Sequence, residues 1–124
     1  MDDLYNAAKA GRHDMVELLI TQGHTEWNLG MAGAARGGHM ALVELFIKQG
    51  ARNFDMGLDA AALGGHKEMV DFFVERGATR WSTAVLRAID GNHQKLVDFF
   101  DAKMQQEQKA MVSPGRPLFY PQLS

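Results

Sequence analysis

The chain is 124 residues long, with 46% hydrophobic and 23% charged residues and a formal net charge of −2. That balance is ordinary for a globular protein with a core of its own, and it lacks the basic excess expected of a nucleic-acid binder. Cysteine is absent, which excludes disulfides and thiolate metal sites, and no stretch approaches the roughly 20 apolar residues of a membrane span.

The N-terminal segment MDDLYNAAKAGRHDM has two acids where a signal peptide carries positive charge, and no apolar run. An intracellular, cytoplasmic protein is therefore expected. From Leu4 onward the chain copies itself. Residues 30–54, GMAGAARGGHMALVELFIKQGARNF, align with residues 57–81 at a shift of 27, and ten of the twenty-five columns are identical. A fixed period of this kind marks a repeat architecture. Four copies can be laid out, over residues 4–27, 28–54, 55–81 and 82–104. Val16, Val43, Val70 and Val97 form one column and Ala7, Ala34, Ala61 and Ala88 another. Gly11, Gly38 and Gly65 form a third, completed by Asn92, which tolerates positive φ.

Within each copy the pattern predicts two helices. The first is short and rich in small residues, as in NLGMAGAARG, with Asn28, Asp55 and Ser82 standing where an N-cap is wanted. The glycines that follow supply a left-handed C-cap and the turn. The second helix is amphipathic: Leu42, Val43, Leu45 and Phe46 line one side, while Glu44 and Lys48 face outward. Trp27, Phe54 and Trp81 occupy the links, where a large ring is expected to pack across two successive copies. One such pair cannot bury its apolar face alone, so the copies must stack. The fourth copy runs on as DAKMQQEQKAMV, a capping helix to residue 112. Residues 113–124 hold all three prolines and form an extended tail.

The anchors Ala-Ala, Gly-His and Gly-Ala in AARGGHMALVELFIKQGA and AALGGHKEMVDFFVERGA resemble the ankyrin-repeat signature. Two features depart from it. The family's Thr-Pro-Leu-His opening is missing, and the period is 27 rather than 33. The shortfall falls where ankyrin repeats carry a β-hairpin finger, so the chain is similar to the abbreviated ankyrin-like repeats of large DNA viruses of amoebae. The resemblance implies an all-α, right-handed solenoid of four helix-turn-helix repeats with a C-terminal capping helix. It also implies noncatalytic protein or peptide recognition on the concave face made by the first helices.

Positions that vary between copies while the surrounding helix stays fixed are free of stacking duty. On the first helices these are Tyr5, Ala32, Asp59 and Leu86, then Lys9, Arg36, Leu63 and Asp90, with Asn6 and Arg87 alongside. The links add Arg52, Asn53, Thr79 and Arg80. The partner-binding set drawn from them is Tyr5, Lys9, Arg36, Asp59, Leu63, Arg87, Asp90, Arg52 and Arg80.

His39, His66 and His93 also recur at 27. Stacked helices stand about 8–10 Å apart and zinc ligands about 2 Å from their ion, so these rings are expected to bond neighbouring turns rather than share a metal. No GxSxG, P-loop or HExxH motif is present, and neither an enzyme nor a cofactor is expected. Self-association is the alternative function, through a solenoid end or through the tail. The tail's ArgProLeuPheTyrPro, residues 116–121, suits a linear motif, a strap along the chain's own concave face, or a disordered terminus.

Overall fold

The computed structural model describes residues 3–111, and these residues form eight helices and no strand. In chain order they are α1 (Leu4–Lys9), α2 (His13–Thr21), α3 (Trp27–Gly37), α4 (Met40–Gln49), α5 (Phe54–Gly64), α6 (Lys67–Glu75), α7 (Trp81–Asp90) and α8 (Gln94–Met111). Each odd-numbered helix packs on the even-numbered helix that follows it, and α1, α3, α5 and α7 pack on one another in that order. The expected tail, residues 113–124, lies outside the described residues. As expected, the second helix of the fourth pair runs on into its extension, as one continuous α8 to Met111.

The repeat columns become the core. Val16, Val43, Val70, Ala34, Ala61 and Ala88 are fully buried, as are Met31, Leu58, Phe46, Phe73 and Phe100. Among the described residues no polar or charged side chain is fully buried, so the core is held by apolar burial and close packing. Val97 is only half-buried, unlike the rest of its column; among the described residues no further helix pair packs on the fourth.

Successive pairs are locked by one recurring joint. The first helix of each pair ends on carbonyls that no residue of its own helix can reach. The ring of the next pair's histidine satisfies one of them. His39 Nε2 lies 3.1 Å from the Lys9 carbonyl oxygen, His66 Nε2 3.0 Å from that of Arg36, and His93 Nε2 3.1 Å from that of Leu63. In each case the imidazole N–H donates, which fixes the tautomer. The same carbonyls are overhung by Gly37, Gly64 and Gly91, where any Cβ would overlap the oxygen. Small residues on the first helices are therefore a condition of the spacing. The turn before each second helix uses positive φ at Gly11, Gly38, Gly65 and Asn92 (73°, 81°, 76° and 62°), as the column predicts.

One expectation is corrected. Asn28 and Asp55 do not cap their own helices, which start one residue earlier, at Trp27 and Phe54. The Asn28 Oδ1 instead accepts from the backbone N–H groups of Arg52 and Asn53 (2.9 and 3.1 Å), and Asp55 Oδ1 from those of Thr79 and Arg80 (3.0 and 3.3 Å). These side chains tie each first turn to the following link. Ser82 likewise lies inside α7, and the cap position before it is Arg80. The link aromatics do pack across successive copies of the sequence repeat, each facing a phenylalanine of the copy that follows. Trp27–Phe46, Phe54–Phe73 and Trp81–Phe100 have ring centroids 6.4, 6.3 and 6.2 Å apart. Gly30 and Gly57 leave the space: a Cβ there would strike the Phe46 or Phe73 ring.

Candidate functional site

Residues four apart on a helix share a face, so Tyr5 with Lys9, Arg36 with Ala32, Asp59 with Leu63, and Leu86 with Asp90 form one strip across the row of first helices. The Arg36 Nη1 donates to the Tyr5 hydroxyl at 2.9 Å, joining the first pair to the second. The Thr83 hydroxyl donates to Asp59 Oδ1 at 3.1 Å, joining the fourth to the third. Arg87 and Asp90 form an ion pair at 3.2 Å, both exposed. Tyr5, Arg36, Asp59 and Leu63 are half-buried, while Lys9 is exposed. At the strip's two ends the character differs: Lys9 and Arg36 present positive charge, whereas Leu86, 52% exposed, presents apolar surface.

Not every predicted position belongs to this strip. Ala32 is buried, so its column does serve stacking in the second pair. Arg52 is exposed, yet its Nη1 donates to the carbonyls of Ile47 (2.8 Å) and Ala51 (2.7 Å). That guanidinium closes the C-terminal end of α4, as cations do at helix C-termini, and stands apart from the other candidates. Arg80 is exposed and reaches Asp55 only loosely, at 4.0 Å. Thr83 was missed by sequence reasoning. Its column holds Leu29 and Met56 in the preceding copies, and a lone hydroxyl among apolar residues is the signal that could have found it.

The environment of Asp59 shifts its titration. Burial raises its carboxyl above the ordinary aspartate value of 3.8, against the pull of the Thr83 bond and of Arg87. A raised carboxyl favours the protonated form in the fold. Its stabilising share is therefore complete below about pH 3.8 and is lost as pH rises through the higher folded value. At neutral pH the charged Asp59 is a net cost. Asp59→Asn keeps an acceptor for Thr83 without the charge. It is expected to raise the melting temperature at pH 7, with the gain over wild type vanishing below about pH 3.8. Thermal melts of both proteins across that range check the sign.

Among the described residues no helix is long and apolar enough to cross a membrane, and no cluster of three or more His, Asp or Glu residues is arranged to hold a metal ion. No family model, curated protein or solved structure matches this chain.

Proposed function

We propose that the four helix pairs form a right-handed, ankyrin-like solenoid that binds a protein or peptide, without catalysis, on the concave face of α1, α3, α5 and α7. The observation that carries the reading is the strip of variable side chains Tyr5, Lys9, Arg36, Asp59, Leu63, Arg87 and Asp90, held on a framework whose own contacts repeat from pair to pair. Glycine and alanine on the first helices, against phenylalanine and leucine on the second, draw the first helices together and bend the row toward them. Rigid scaffolds carrying variable side chains lose little ordering entropy on binding. A mixed strip of three cations, two acids and the half-buried Tyr5 and Leu63 suits an extended peptide with an acidic residue opposite Lys9 and Arg36.

Peptides selected from a displayed random library give a direct test by fluorescence anisotropy. Arg36→Ala and Leu63→Ser are expected to weaken binding at least about tenfold, the scale of an interface hot spot. Glu44→Ala, on the exposed side of α4, should leave it unchanged. The opposite ranking would move the binding surface to the second helices. Arg36→Ala should still fold, at a cost of about 1 kcal/mol for the Tyr5 bond.

A further inference from the structure

Equivalent positions on the first helices carry four different chemistries. The carbonyls of Lys9, Arg36 and Leu63 each accept from the histidine of the next pair, at 3.1, 3.0 and 3.1 Å. That shared joint puts the three residues on the same last turn of α1, α3 and α5. Asp90, 27 residues after Leu63, ends α7. The row therefore reads cation, cation, isobutyl, carboxylate from the first pair to the fourth.

Among the described residues neither Lys9 nor Arg36 forms an ion pair, so both charges are open to a partner. The Tyr5 hydroxyl holds the Arg36 guanidinium in place at 2.9 Å. At the other end, Arg87 engages Asp90 through Oδ2, at 3.2 Å and in an exposed pair. Asp59 stands one turn before Leu63 on α5, and its carboxylate opposes a partner acid opposite Leu63.

These four groups repeat at the spacing of packed helices, about 8–10 Å. A polyproline II segment has about three residues per turn at about 3.1 Å each, so every third side chain returns to one face after about 9 Å. A β-strand does not match, because its same-face residues stand about 6.6 Å apart. An α-helix returns to one face after about 5.4 Å, and two turns, about 10.8 Å, overshoot.

We infer that the partner is a polyproline II segment of about ten residues, with an acid, a second acid, an apolar residue and a cation at every third position, facing Lys9, Arg36, Leu63 and Asp90 in turn. The inference rests on the concave face of the first helices being the binding surface, and adds the partner's conformation, spacing and polarity. Opposite charges at the two ends of the row set which end of the segment lies on the first pair. A polyproline II backbone is already ordered before binding, so little chain entropy is lost.

The probes are a fluorescein-labelled peptide, Glu-Pro-Pro-Glu-Pro-Pro-Leu-Pro-Pro-Lys, and the same sequence written backwards, since charge and spacing leave the chain direction free. In fluorescence anisotropy with the full chain, one of the two is expected to bind at least about tenfold more tightly than a peptide of the same composition with the four side chains at every second position. Asp90→Lys is expected to weaken that binding about tenfold, and changing the peptide's lysine to glutamate should restore it with this variant. Equal affinity for the two spacings, no binding in either direction, or a loss on Asp90→Lys that the exchanged peptide does not restore would overturn the inference. Library peptides that lose affinity on Arg36→Ala yet lack the three-residue spacing would overturn it while leaving the concave surface in place. Library peptides indifferent to both Arg36→Ala and Leu63→Ser would remove that surface as well.

Discussion

Val43→Asp is expected to unfold the chain at 25 °C, seen as loss of the helical far-UV circular dichroism signal. Val43 has no solvent exposure, and it shares its column with Val16 and Val70, which are equally buried. No polar side chain is fully buried among the described residues, so an aspartate there would meet no donor or cation. Burying an uncompensated carboxylate costs several kcal/mol even after relaxation. A protein of this size has only about 5–15 kcal/mol in total, and a central position disturbs contacts on both sides. Glu44→Ala, one residue away but exposed, should change stability by no more than about 0.5 kcal/mol. A native melt for Val43→Asp would mean that the valine column is not the core.

Gly64→Ala carries the second large effect, and its sign is the point. Glycine inside a helix is normally about 1 kcal/mol worse than alanine, so the exchange usually stabilises. Here the added Cβ would overlap the Arg36 carbonyl oxygen, lie 3.0 Å from the carbonyl carbon and 2.8 Å from the His66 ring. Neither backbone nor ring can yield without moving α5 from α3, which breaks the 3.0 Å His66 bond. Overpacking and one lost joint together are expected to cost about 2–3 kcal/mol, lowering the melting temperature by about 10 °C. A rise in melting temperature would show that the helices are not in close approach at this joint.

Much of this was legible in the chain because a period multiplies weak signals. One valine is uninformative; four at a spacing of 27 mark a buried position, and Asn92 could be placed by the glycines of its column. The histidines could be set in neighbouring turns on spacing alone. What could not be read were side chains that act outside their own helix. Asn28 and Asp55 look like caps because capping residues are what asparagine and aspartate usually are near a helix start. Their true partners are amides of the next link, which no local rule reaches. Ala32 misled in another way: variation in a column shows that several residues are accepted, and alanine is accepted there by being buried.

In the joint between pairs, the incoming copy contributes its glycine and histidine, and the preceding copy contributes only a backbone oxygen. That oxygen belongs to Lys9, Arg36 and Leu63 in turn, three residues of the proposed binding strip. A carbonyl is the same group whether its residue carries an ammonium, a guanidinium or an isobutyl chain. Attachment and recognition are thus written in separate parts of one residue. Mutation can change the message at these positions without loosening the fastening, which leaves the surface open to evolutionary revision while the framework stays put.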